Sequence, residues 1–253
     1  MAALSQFSDD ELLLLTTPDD TEEAPWMVMP DFQWRVVSLL MSILGLYVRR
    51  TGQRWYLGAE LKVTMPRPAG QRALDLGPDM MMAEADDAVR DSWNVRVEGE
   101  PPLFVLEVVT DESRARDMDE KPILYDQMGV REYAIFAPRR RDNGPVLFGY
   151  HRDVTGRFMS WAPDATGVLR VTSLGGLGLY VEGDRLRVRD AQGRRLPSAE
   201  EEAARAEEEA ARAEEEAARA AQEVLARQDA ERRAAAAEAE VTRLRALLAR
   251  DGA

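Results

Sequence analysis

From Asp31 onward, the stretch DFQWRVVSLLMSILGLYVRR places Val37, Leu40, Ile43, Leu44 and Tyr47 at steps of three and four. That spacing predicts a helix with one apolar face, with Asp31 after Pro30 as N-cap and Gly52 as the stop. Two β-like runs follow, WYLGAELKVTMP and RALDLGPDMMMA, separated by the turn-prone PRPAGQ. The polar EADDAVRDSWNVRVEGEPP reads as a loop. LFVLEVVT is apolar throughout except for Glu107, the pattern of a strand buried on both faces.

A helix is expected next, and Pro122 limits where it begins, because proline is tolerated only in a first turn. Asp119 as N-cap puts Lys121 and Pro122 there, Leu124, Tyr125 and Met128 on the apolar face, and Gly129 at the stop. EYAIFAP is the next buried strand. PVLFGYHRD, RFMSWAP, VLRVTS, LGLYV and DRLRVRD are short runs between Gly and Asp turns, which predicts antiparallel pairing.

Beyond Pro197 the texture changes. EEAARAE at 201–207 recurs at 208–214 and, nearly, at 215–221. Ala203, Ala206, Ala210, Ala213, Ala217, Ala220 and then Val224 alternate in steps of three and four, the seam of a coiled coil. Val241, Leu244 and Leu248 continue it out of phase, so a stammer or a second short helix is expected. The chain thus divides into an acidic arm at 1–30, an α/β domain at 31–197, and a helical extension at 198–253 that self-associates.

Charge changes this picture only locally. The net charge is −13, which disfavours loose phosphate binding, yet much of the acid lies in the arm and the extension. Basic residues cluster at Arg49–Arg50–Arg54, Arg67–Arg72 and Arg139–Arg141. With no cysteine, disulfides, thiolate metal sites and cysteine nucleophiles are excluded, and a reducing cytoplasm is the expected setting. One histidine, His151, excludes a multi-histidine metal site. No run approaches the roughly 20 apolar residues needed to cross a bilayer. LGGLGL at 174–179 lacks the context of a phosphate loop, Ser92 and Ser160 lack a base, and MMM at 80–82 reads as a strand.

The chemistry concentrates elsewhere. Asp79 follows Pro78, with Asp75 four residues before it. Glu107 lies inside its strand, and Asp117 and Lys121 follow within one helical turn of each other. A buried charge costs several kcal/mol unless paired. Two readings stay open on the residues alone: Glu107 pairs with a core Arg or Lys, or the carboxylates hold a hard cation. Mg²⁺ takes one or two carboxylates plus water and phosphate. Asp79 and Glu107 on adjacent strands suit it, with a nearby lysine to orient water and steady charge on phosphorus.

The pieces GPDMMMA, PPLFVLEVVT, RDMDEKPILY and GVREYAIFAP, in that order, resemble the Uma-type family of restriction endonucleases within the PD-(D/E)XK nuclease superfamily. The resemblance covers about 31–190 and implies an α/β restriction-endonuclease-like core, with a mixed central sheet flanked by helices. It implies an Mg²⁺- or Mn²⁺-dependent endonuclease that hydrolyses DNA phosphodiester bonds. Asp79 and Glu107 would be metal ligands with the backbone carbonyl of Val108, and Lys121 the active-site lysine. Asp117 would orient Lys121 or assist the metal, and Tyr125 would pack or hydrogen-bond. The superfamily's usual lysine position, two residues after the glutamate, holds Val109. The family's first-helix histidine has no counterpart; the segment around DFQW stands in its place. The alternative is a catalytically decayed nuclease fold acting as an assembly module through its coiled coil.

Overall fold

The computed structural model describes residues 30–138 and 144–251, with side chains as far as residue 245. The acidic arm, apart from Pro30, and the Arg139–Arg141 cluster lie outside the described residues. The described chain falls into two compact units that meet between Ala199 and Glu200.

The first unit begins with helix α1 (Asp31–Thr51), stopped at Gly52, whose φ of 67° is the left-handed cap expected there. Pro30, not Asp31, takes the N-cap position, and Asp31 instead pairs with Arg35 at 2.7 Å. Each of the two early β runs divides. The first gives β1 (Trp55–Ala59) and β2 (Val63–Met65), the second β3 (Leu74–Leu76) and β4 (Met80–Glu84). The stretch expected to be loop contains β5 (Trp93–Asn94) and the single turn α2 (Val95–Glu98). Trp93 explains this: its ring is buried and stacks on Tyr56, so the segment is pinned to β1 by one aromatic.

Then come β6 (Phe104–Val108), a π-helical turn (Arg116–Glu120), α3 (Lys121–Met128) and β7 (Glu132–Ala137). Every residue of β6 and β7 is buried, as their apolar runs require, and the one carboxylate in each, Glu107 and Glu132, is buried with them. Strands β8 (Val146–Arg152) and β9 (Phe158–Trp161) complete a six-stranded sheet in the order β1-β4-β6-β7-β8-β9. Its β6–β7 pair is parallel and its other pairs are antiparallel, so the sheet is mixed. The parallel pair requires a crossover, which the π-turn and α3 provide. Gly149 lets β8 press on β7: a Cβ there would lie 2.0 Å from the Tyr133 carbonyl oxygen.

Side-chain alternation gives the sheet two apolar faces. Met80, Met82, Phe104, Leu106 and Val108 face α1 and a three-stranded antiparallel sheet, β10 (Val168–Val171), β11 (Leu177–Glu182) and β12 (Arg185–Arg189). Met81, Val105 and Val109 face α3 and the small β3-β2-β5 sheet. Glu107 belongs to this second face, beneath α3. The antiparallel pairing expected of β8 to β12 is present.

The second unit is one uninterrupted helix, α4 (Ala199–Asp251) of 53 residues. The second short helix considered from the phase break does not form.

Candidate active site

Asp79 precedes β4, whose Met80 lies opposite Leu106 of β6. The aspartate therefore falls beside the end of β6, where its Oδ2 accepts the Val108 N–H at 2.6 Å. Its Oδ1 accepts from Gln33 Nε2 on α1. Glu107 is one position back on β6, on the face that α3 covers.

The π-turn brings Asp117 and Lys121 onto that face. Lys121 Nζ lies 2.7 Å from Glu107 Oε1 and 2.8 Å from Asp117 Oδ1. Tyr125, one turn further along α3, donates its hydroxyl to Glu107 Oε1 at 2.7 Å. Tyr133 on β7 donates to the Asp117 backbone carbonyl at 2.7 Å, which holds the π-turn against the sheet. Glu107 and Asp117 are 1 % exposed, Asp79 and Lys121 9 %, so solvent meets the cluster from the Asp79–Lys121 side.

Electrostatics follow from the count of charges. Three carboxylates share one ammonium. Burial pushes the Glu107 carboxyl up to about 8, with Lys121 pulling it down and Asp79 and Asp117 adding to the rise. Burial also raises Asp79, against the opposing Val108 N–H and Lys121. Lys121 loses by burial but gains more from Glu107 and Asp117, and stays above its ordinary value. The Tyr125 hydroxyl is driven well up by burial and by Glu107, so it is a donor and not a base. Glu132 makes a useful contrast. It is equally buried but accepts from Thr172 N and Oγ1 at 2.8 Å, Ser173 N at 2.9 Å and Ser173 Oγ. Four neutral donors satisfy that carboxylate as a structural tie; among the described residues Glu107 is met by Tyr125 and Lys121.

The sequence-named residues Asp79, Glu107, Val108, Asp117, Lys121 and Tyr125 therefore meet in one place. Asp75 does not join them: it is tied to Thr64 Oγ1 at 2.7 Å and to Lys62 Nζ at 2.9 Å. Gln33, Tyr133 and Arg114 were not foreseen. Gln33 and Arg114 both border a cleft of about 350 Å³ that also meets Phe32, Val109, Thr110 and Pro138. Arg114 Nη1 rests 3.6 Å from Met118 Sδ, and its buried Nε has no hydrogen-bond partner among the described residues. A larger depression of about 600 Å³ over Tyr180 and Arg189 contains none of the cluster.

Among the described residues no three His, Asp or Glu side chains form a ready metal cage. Two hard carboxylates with a backbone carbonyl are nonetheless a sufficient donor set for Mg²⁺, which keeps several of its waters. The acid in excess over cation at Asp79, Glu107 and Asp117 is what a divalent ion would neutralise.

A family model described as "Uma2: Putative restriction endonuclease" matches residues 23–173. Among solved structures, a putative nuclease belonging to DUF820 from Anabaena variabilis ATCC 29413 aligns at 13 % identity. The alignment covers 55 % of this chain and 75 % of that one, with a TM-score of 0.35. Among curated proteins, none matches the chain.

Proposed function

Because the chain belongs to the Uma2 family, we propose that it hydrolyses DNA phosphodiester bonds as an Mg²⁺- or Mn²⁺-dependent endonuclease. The observation that carries this reading is the Lys121 ammonium held between two buried carboxylates and beside the end of β6, where Asp79 sits. Asp79, Glu107 and the Val108 carbonyl would hold the ion. When bound, such an ion lowers the pKa of a coordinated water and polarises a phosphoryl oxygen.

The chain's own residues do the positioning. An ammonium has three donors. Glu107 and Asp117 lie within reach of two, which leaves one N–H of Lys121 for a water or a phosphate oxygen. Asp117 fixes the direction of Lys121, and Tyr125 fixes the Glu107 carboxylate through its hydroxyl. Gln33 steadies Asp79 from the opposite layer. The Arg114 guanidinium, on the lining of the adjoining cleft beside Asp111 and Glu112, would meet a phosphate flanking the scissile bond. With a net charge of −13, affinity for DNA rests on such local contacts and not on the field of the whole molecule.

The α4 unit is proposed to bring chains together, and the cysteine-free composition suits a cytoplasmic protein. Among the described residues no helix is long and apolar enough to cross a membrane. The test of activity is cleavage of supercoiled plasmid by the wild-type chain, in Mg²⁺ and in chelator, beside Asp79→Asn and Lys121→Met. Cleavage that needs the metal and both side chains is expected. Equal cleavage by all three proteins, or none by the wild type, would sink the reading.

A further inference from the structure

Every residue of α4 from 203 to 245 is exposed, and its large apolar side chains are about half open to solvent: Val224 55 %, Leu225 58 %, Val241 46 % and Leu244 50 %. The first half of the seam runs Ala203, Ala206, Ala210, Ala213, Ala217, Ala220. After Val224 come two successive steps of three, to Arg227 and Ala230, and the alternation resumes in a new phase as Ala234, Ala237, Val241, Leu244. A break in phase locally overwinds a coiled coil. In an antiparallel pair with its two-fold axis between Glu223 and Val224, the break at Arg227 lies about one helical turn from that axis.

The register shows this directly. Setting Ala203 opposite the partner's Leu244 also sets Ala206 on Val241, Ala210 on Ala237 and Ala213 on Ala234. Ala217 then meets Ala230, and Ala220 meets Arg227. All six pairs are centred on one point, between Glu223 and Val224. In each, a first seam position of one helix meets a second seam position of the other, as antiparallel layers require. Large residues meet small ones at the ends and alanine meets alanine at the next three layers, so the two helices can approach closely on either side of the centre, where Arg227 lies beside Ala220 and Val224 beside Glu223.

Charge points the same way. Residues 200–226 carry ten glutamates against three arginines, whereas residues 227–251 carry six arginines against five acids. A parallel pair lays the acidic half on the acidic half, within the roughly 8 Å over which physiological salt leaves charges unscreened. An antiparallel pair lays it on the half that carries the arginines.

We infer that α4 pairs with α4 of a second copy of this chain, antiparallel, with its axis at Glu223–Val224. This rests on the self-association proposed above and adds its orientation. It puts the two Ala203 positions about 60 Å apart at 1.5 Å per residue, far outside disulfide reach.

The described chain has no cysteine, so introduced thiols report alone. Full-length Ala203→Cys and Leu244→Cys proteins are prepared separately, then mixed in a glutathione redox buffer. The expected product on a non-reducing gel is the mixed 203–244 dimer, with little dimer from Ala203→Cys by itself. Ready self-crosslinking of Ala203→Cys would mean a parallel pair and overturn the orientation while leaving self-association intact. A monomer by light scattering at micromolar concentrations, with no crosslink, would overturn the self-association as well. A dimer that crosslinks in neither arrangement would place the interface outside this seam and overturn the inference.

Discussion

Lys121 Nζ lies 2.7 Å from Glu107 Oε1, and both groups are withdrawn from water. Above about pH 8, where the Glu107 carboxyl has released its proton, breaking such a pair leaves a buried charge without its partner, which costs about 3–5 kcal/mol. Lys121→Ala is therefore expected to lose stability on that scale in urea unfolding, together with all plasmid cleavage. A variant of unchanged stability would show that the pair is absent in solution.

Removal of the Tyr125 hydroxyl separates support from chemistry. Tyr125→Phe deletes one hydrogen bond to the Glu107 carboxylate and is expected to cost about 1.5–3 kcal/mol. Cleavage should persist, because the tyrosine is assigned no proton to move. Complete inactivation of a folded Tyr125→Phe protein would give the hydroxyl a direct part in the reaction.

For the metal, hard oxygen donors without histidine or thiolate favour Mg²⁺ and Mn²⁺ over Zn²⁺. Calorimetric titration should show Mn²⁺ binding to the wild type and weaker binding to Asp79→Ala. Equal heats from the two proteins would remove Asp79 from the ligand set. Gln33→Ala, which takes away only a prop, should weaken binding less than Asp79→Ala does.

The pH profile has a definite sign. Burial raises the folded Glu107 carboxyl from 4.5 to about 8, so in this interval the folded state holds a proton that the unfolded chain has released. The contribution is whole below about 4.5 and is lost as pH climbs through about 8. Asp79 is raised too and acts in the same direction. In chelator, the melting temperature should fall between pH 5 and pH 9, and Glu107→Gln should flatten that fall. A profile that rises across the interval would contradict this placement of Glu107.

The two units should part cleanly. Leu196 packs on the core, and Ser198 is buried, so the cut belongs after Ala199. The truncated chain is expected to keep the melting temperature of the full chain and to run as a monomer in light scattering. An unfolded truncation would mean that α4 supports the core, and a persisting oligomer would place the interface in the first unit.

Several of these features were legible in the sequence for stated reasons. Glu107 stood out because an isolated charge in an apolar run demands a partner, and the buried strand around it follows from composition alone. Spacing misled at Asp75. Four residues before Asp79 is the same face of a continuous strand, but Gly77–Pro78 interrupts the strand and leaves Asp75 exposed on β3. The strand ends shifted for the same reason: a Gly or Pro can sit inside an apolar run without altering its composition.

Gln33 could not have been found by local pattern. Its partner is 46 residues away, and only the packing of α1 against the sheet aims its amide at Asp79. Arg114 was equally silent, because a polar segment between strand and helix has no period to interpret. Asp119 was expected as a cap, but the chain is already helical before it. The backbone N–H of Lys121 bonds to the Arg116 carbonyl, five residues back, so the turn holds one residue more than an α-helix allows.

That surplus residue makes the cluster depend on counting as well as on chemistry. Deleting Met118 would alter no carboxylate, lysine or tyrosine, yet it would close the turn to an α-helical one. Everything downstream would then rotate by about 100°, the angle one residue subtends in a helix. Either Lys121 would swing off Glu107, or α3 would turn its Leu124 and Met128 out of the core. Exchanges at Arg116, Met118, Asp119 and Glu120 should thus be tolerated far better than any change in the length of the segment.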